Sequence, residues 1–264
     1  MCRCHPQMNI TSYLNRISYA GPVKPDLETL RGLHHANMLS VPFENLDIAL
    51  KRPIKIDEQS IWEKIITKRR GGFCYELNGL FAWLLTEIGF DVTYLNGRVF
   101  DSTGKPGIDF DHLVLLVKFP QQPAQWIADV GFGDSFTLPL NLSESAEQSQ
   151  GLRAYRLESI RDRYVMWQKN YDGAWERQYL FDLQPHTFPD EYESGCLYQQ
   201  TSPQSSFTRK SIISRATDDG RVSLEDRRLI VTKLGKRTER PLTGNDEYYS
   251  LLSELFGVEL ASHS

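Results

Sequence analysis

The stretch Arg70-Gly71-Gly72-Phe73-Cys74 sets a cysteine just after a paired-glycine break and at the start of a strongly apolar helical pattern. The glycines permit a tight turn, and the helix beginning there gives Cys74 the free backbone N–H groups and positive dipole end of a helix N-terminus. Such a position favours thiolate over thiol, and thiolate is the form that attacks carbonyl carbon. The competing reading is a small buried cysteine filling a helix–turn junction. A nucleophilic thiol needs a base, and six histidines are available. His5 and His263 fall near the chain ends, His34-His35 reads as a polar surface pair in mid-helix, and His186 lies in a proline-flanked loop. His112 directly precedes the apolar run Leu113-Val114-Leu115-Leu116-Val117, where a strand would hold an imidazole rigidly, as a general base requires. The competing reading is a strand-end histidine with a local hydrogen bond. Asp129 ends another apolar run and enters Gly131-Phe132-Gly133, where a carboxylate could orient that imidazole or simply bond its own turn. Asp111 competes for the orienting role. Adjacent strand residues point to opposite faces, which makes it the weaker choice.

The elements that must position these groups change character along the chain. Helical spacing is predicted over residues 10–17, from 26 onward through Leu27, Leu30 and Leu33, and over 57–68. Val41-Pro42 interrupts the second of these. A fourth helix begins near Cys74, with Leu77, Leu80, Phe81, Leu84, Leu85 and Ile88 on one face and Gly89 as its stop. Short strands follow over 92–95, 113–117, 125–130, 154–157, 164–168 and 175–180, with Asn96-Gly97, Pro120 and Asp172-Gly173 as turn signals. Beyond a polar stretch near 185–194, residues 207–215 and 228–234 read as strands and 246–256 as a helix. The fold class is therefore α+β, in three parts: helical over 1–88, β-rich over 89–192 and mixed over 193–264.

Composition narrows the function classes. The chain has 264 residues, 40% hydrophobic and 24% charged, enough to bury a core and enclose a cleft. Thirty Lys and Arg against 34 Asp and Glu leave a net charge of −4, so a broad basic face for nucleic acid is not expected. No apolar run approaches the roughly 18 residues of a membrane span, and the first residues lack the apolar core of a signal peptide. A cytoplasmic location is the expectation, with no membrane partner. Four cysteines, at 2, 4, 74 and 196, are too scattered for a disulfide framework. Cys2, Cys4 and His5 are too few ligands for structural zinc, so no metal is expected. A thiol, a histidine and an aspartate in this order support acyl transfer or hydrolysis through cysteine, with a thiol hydrolase or a non-catalytic binding module as the alternatives.

At this point the sequence resembles the arylamine N-acetyltransferase family over nearly its whole length. The resemblance rests on Val41-Pro42-Phe43-Glu44-Asn45-Leu46, Arg70-Gly71-Gly72-Phe73-Cys74-Tyr75-Glu76-Leu77-Asn78, His112-Leu113-Val114-Leu115, Asp129-Val130-Gly131-Phe132-Gly133 and Thr201-Ser202-Pro203-Gln204-Ser205-Ser206-Phe207. It implies an N-terminal helical bundle, a central β-barrel and a C-terminal α/β lid, with a Cys-His-Asp core similar to that of papain-like proteases and transglutaminases. It further implies acetyl transfer from acetyl-coenzyme A to aromatic amines, hydrazines and hydroxylamines by way of an acetyl-cysteine. Position by position, the nucleophile falls on Cys74, the base on His112 and the orienter on Asp129. Phe43 and Phe132 match residues lining the acceptor pocket, and Tyr198 and Ser206 match positions near the coenzyme. Arg16, Glu44 and Arg70 match a charged cluster packed beneath the cysteine, read here as structural support.

Overall fold

The apolar run 113–117 forms the middle of a strand covered on both faces, which is why it does not alternate. The computed structural model describes residues 8–120 and 122–260. Helices α1 (Ile10–Arg16) and α2 (Leu27–Ser40) are followed by a two-residue strand, β1 (Phe43–Glu44), and by helices α3 (Leu46–Ala49), α4 (Glu58–Trp62) and α5 (Cys74–Ile88). Strands β2 (Asp91–Val99), β3 (His112–Phe119), β4 (Gln122–Ala128), β5 (Leu140–Asn141), β6 (Gln148–Gln150), β7 (Arg153–Ile160), β8 (Arg163–Lys169) and β9 (Trp175–Asp182) make an antiparallel sheet in the order β5-β4-β3-β2-β9-β8-β7-β6. The sheet curls into a nearly closed barrel. At the seam the Gln148 side chain of β6 accepts the Asn141 N–H of β5 at 2.8 Å and donates to the Asn141 carbonyl at 3.0 Å.

Alternation along β3 divides the interior in two. Leu113, Leu115 and Val117 pack against the helices, with Leu80, Phe81, Leu84 and Leu85 of α5. Val114 and Leu116 face the barrel interior with Leu95, Ile127, Met166 and Phe181. The chain ends in α6 (Glu193–Thr201), α7 (Ser206–Arg209), strands β10 (Ile212–Thr217), β11 (Gly220–Glu225), β12 (Arg228–Lys233) and β13 (Lys236–Pro241), and α8 (Asn245–Phe256). The second sheet has the order β1-β10-β11-β12-β13, and Leu252 and Phe256 of α8 pack on Ile213 and Leu224. Its first strand comes from the far end of the sequence: Phe43 pairs with Ser214 and Glu44 with Ile213. On its other edge β1 meets the loop before Cys74, where the Glu44 N–H donates to the Gly72 carbonyl at 2.8 Å. Among the described residues, no helix is long and apolar enough to cross a membrane.

Several local expectations are corrected. Residues 57–68 are not one α-helix: α4 runs into a π-helical turn over Glu63–Thr67, closed by the Lys68 N–H on the Glu63 carbonyl at 2.9 Å. Lys64, at the start of this turn, pairs inward with Asp47 and Glu76. Residues 207–215 are not one strand, because the Ser205 side chain caps α7 before β10 begins. Asn96-Gly97 is not a turn but the interior of β2, for a reason that belongs to the site.

Candidate active site

Cys74 is the first residue of α5, and Phe73 before it is extended and buried. The Phe73 N–H donates to the Glu76 carboxylate at 3.2 Å, which ties the loop to the first helical turn. The backbone of Leu113 acts on the Cys74 sulfur, which sets the thiol near the start of β3, and Cys74 and His112 line one cavity. The other neighbour is Gly131: a Cβ there would fall 2.7 Å from the Cys74 Cα, so any side chain would push the Asp129 loop off Cys74.

His112 is 2% exposed and Asp129 is fully buried, and the His112 Nε2–H donates to Asp129 Oδ2 at 2.8 Å. With a carboxylate that can only accept, the proton belongs on Nε2, and Nδ1 is the nitrogen left for a thiol proton. The opposite residue on β2 is Gly97, whose missing Cβ would meet the His112 carbonyl at 3.1 Å and its Cβ at 3.2 Å. Asn96 beside it accepts the Phe110 N–H at 2.7 Å. The pair that reads as a turn signal in fact makes room for the histidine and holds the loop leading to it. Asp129 Oδ1 takes the Asn78 amide at 2.8 Å and the Gly131 N–H at 3.0 Å. Burial alone would raise its pKa, but His112 and these donors hold it below the usual carboxylate value. Asn78 also donates to the Leu113 carbonyl at 2.6 Å and accepts the Val130 N–H at 2.8 Å, so one amide stitches α5 to both strands.

Burial pushes the Cys74 thiol well up, and the nearby charges of Asp111 and Asp129 add to this against the pull of the Leu113 N–H. Burial thus works against the thiolate that the helix N-terminus favours, and a neighbour able to take the proton would offset that cost.

Cys74, His112, Phe43, Phe132, Tyr198 and Ser206 line one cavity of about 1090 Å³ between the barrel and the second sheet. Asp129 sits behind His112, and Arg16, Glu44 and Arg70 lie outside the cavity wall. These last three meet at Arg70, though Arg16 joins through the backbone and not as an ion pair. Arg70 pairs with Glu44 at 2.6 Å and with Asp47 at 3.2 Å, and Lys64 bonds Asp47 at 2.9 Å and Glu76 at 2.8 Å. Arg16 instead donates only to carbonyl oxygens, those of Ser40, Ile65, Arg69 and Arg70, at 2.9 to 3.3 Å. Its charge fixes the backbone leading to Cys74 rather than pairing with a carboxylate. Burial raises Glu76 to about 7 in spite of Lys64. Lys64, Asp47 and Asn78 escape a sequence reading because only the packing of the helices and loops brings them here.

His34 is also misread from sequence: it is fully buried, stacked on Phe136 at 5.5 Å. Its Nδ1 donates to the Thr137 carbonyl at 2.9 Å, and its Nε2 accepts the Asp129 N–H at 3.2 Å, which fixes a neutral tautomer beneath Asp129. Burial pushes its pKa down to about 4. A group depressed in the folded state contributes stability above its unfolded pKa of about 6.5 that is lost as pH falls toward 4. The shift corresponds to about 3 kcal/mol. Urea unfolding at pH 7 and pH 4.5 is expected to show most of that loss in the native chain and little of it in His34→Gln, which keeps one donor and one acceptor. Equal losses in both would remove His34 from the acid sensitivity. Cys2, Cys4, His5 and His263 lie outside the described residues. Among the described residues, no group of three or more His, Cys, Asp or Glu side chains could hold a metal ion.

Comparison with known proteins gives this geometry its class. The family model described as N-acetyltransferase matches residues 26–264. The arylamine N-acetyltransferase of Escherichia coli (strain K12) is 35% identical over 252 residues, covering 94% of this chain and 88% of that protein. The arylamine N-acetyltransferase / N-hydroxyarylamine O-acetyltransferase of Salmonella typhimurium is 34% identical over 250 residues, again 94% and 88% of the two chains. The structure of Mycobacterium marinum arylamine N-acetyltransferase in complex with CoA superposes with a TM-score of 0.88 at 31% identity, covering 95% of this chain and 93% of that one. The chain belongs to the arylamine N-acetyltransferase family, and it is an acetyltransferase.

Proposed function

We propose that the chain transfers acetyl from acetyl-coenzyme A to the nitrogen of arylamines and arylhydrazines, and to N-hydroxyarylamines, through an acetyl-Cys74 intermediate. The observation that carries this is the convergence of Cys74, His112 and two aromatic side chains on one cavity, with Asp129 behind the imidazole. Cys74 gives its proton to His112 Nδ1 as its sulfur attacks the thioester carbonyl. The new S–C bond forms, the coenzyme sulfur departs, and His112 returns the proton to it. In the second half-reaction the acceptor nitrogen attacks acetyl-Cys74 and His112 takes its proton. That proton then passes to the departing Cys74 sulfur. Asp129 holds the imidazole in the required tautomer and steadies its charged form.

The acceptor nitrogen must be neutral to attack. Anilines are neutral at pH 7 whereas alkylamines are protonated, so aromatic acceptors are favoured chemically before any pocket fit. Phe43 and Phe132 offer flat apolar walls, and the Phe132 ring lies 5.2 Å from the His112 ring centre. The cavity wall, which includes Tyr198 and Ser206, also carries Arg209, Lys210 and Arg237, suited to an anionic coenzyme. Arg16, Glu44 and Arg70 serve as structural support for the loop before Cys74.

Mixing the protein with acetyl-coenzyme A and no acceptor is expected to leave one acetyl group on the Cys74 peptide, discharged when an arylamine is added. Reciprocal initial-rate plots at several acceptor concentrations are expected to be parallel. Intersecting lines with no acetylated peptide would mean that both substrates react within a ternary complex, and this route would be abandoned.

A further inference from the structure

Two carboxylates border His112, and something must decide which of them it uses. Asp111 precedes it in the chain and lines the same cavity as Cys74 and His112. Both Asp111 oxygens are already engaged: Oδ2 accepts the Val99 N–H at 3.2 Å, and Oδ1 accepts the side-chain amide of Gln199, on α6. Gln199 is 7% exposed, and its own oxygen accepts the Ser205 hydroxyl. Ser205 Oγ in turn accepts the Phe207 N–H at 3.1 Å. With the hydroxyl proton on Gln199 Oε1, the amide can point only its NH₂ at Asp111. The backbone agrees: Phe110 has φ +58°, an uncommon conformation for so bulky a residue. It is kept there by the Tyr75 hydroxyl on its carbonyl at 2.6 Å and by Asn96 on its N–H.

We propose that Gln199 is a positioning residue that keeps the Asp111 carboxylate on α6, so that Asp129 alone orients His112. The inference rests on the reading of Cys74 and His112 as a proton-sharing pair. Within electrostatic reach of Asp111 are the adjacent His112, Arg98 on β2, and Cys74 and Tyr75 on α5, while α6 offers it an uncharged amide. Released from Gln199, the carboxylate would be free to compete for the imidazole or to stand closer to the sulfur. Either change disfavours the thiolate.

The test is the rate of Cys74 alkylation by iodoacetamide against pH, read on the Cys74 peptide by mass spectrometry. Gln199→Leu is expected to slow labelling at pH 7 by about tenfold, equivalent to an upward shift of about one pH unit. Adding Asp111→Asn to Gln199→Leu is expected to bring the rate back to within about twofold of the native chain, because no charge is left to stray. Gln199→Glu sets a second carboxylate against Asp111, forces the two to share a proton, and is expected to add an inflection to the profile. If Gln199→Leu and Gln199→Glu both label like the native chain while His112→Ala labels slowly, Gln199 does not position anything. A double variant as slow as Gln199→Leu would likewise overturn the proposal, since the loss would then come from packing. An unchanged profile in His112→Ala would instead overturn the proton-sharing pair itself.

Discussion

Cys74→Ala is expected to lose acetyl transfer by a factor on the order of 10⁴ or more, the scale on which removing the nucleophile of a catalytic triad acts. Among the described residues no second thiol stands ready to replace it. Cys196 is buried, receives the Gln200 amide on its sulfur at 3.2 Å, is pushed up to about 12 by burial and does not line the cavity. The variant is expected to unfold close to the native temperature, because one small side chain at a helix start is removed and the backbone bonds around it remain. Coupled steady-state assays with a sensitive arylamine, together with thermal unfolding, check both halves. Retention of a tenth of native transfer would exclude Cys74 as the acetyl carrier.

Asp129→Asn is expected to cost nearly as much, about 10⁴-fold, for a reason of hydrogen placement rather than shape. The Oδ1 position of Asp129 faces two donors, Asn78 and the Gly131 N–H, so an amide NH₂ cannot sit there. The asparagine must turn its NH₂ toward His112 Nε2, which then has to accept. The imidazole proton moves to Nδ1, the nitrogen that should receive the thiol proton. Transfer and Cys74 alkylation are both expected to fall at neutral pH, with alkylation recovering only in alkali, where hydroxide removes the thiol proton unaided. A native alkylation profile in Asp129→Asn would give the orienting role to another carboxylate, with Asp111 first in line.

The parts of this arrangement written in local pattern were legible in the sequence. The apolar face of α5, the cysteine after two glycines and the long apolar run of β3 each announce themselves through spacing. Groups whose role depends on a partner far along the chain were not. His34 carries no local mark of burial, since its neighbours Phe136 and Thr137 are about a hundred residues away. Asn96-Gly97 has the composition of a turn, yet it is held straight because His112 needs the space opposite. Lys64 looks like any solvated lysine until the fold sets it against Asp47 and Glu76. The short strands β1, β11 and β13 also went unseen: two residues carry no period, and β13 is polar and exposed along its whole length.

The pairing of Phe43 and Glu44 with β10 has a consequence for the order in which a growing chain acquires its reactivity. Glu44 binds Arg70 on one side and, through its backbone, the Gly72 carbonyl, while its strand is completed by residues 213 and 214. Asn45 adds side-chain bonds to the Lys210 carbonyl and the Ile212 N–H. Contacts separated by so much sequence form late, because the intervening chain must exist and close before they give any return. On the ribosome, the helices and the barrel are made while β10 is still untranslated, and the segment braced against the thiol loop lacks its outer strand. The support behind Cys74 is therefore finished only when the last quarter of the polypeptide emerges, so that a truncated product would carry the nucleophile without the brace that holds it ready.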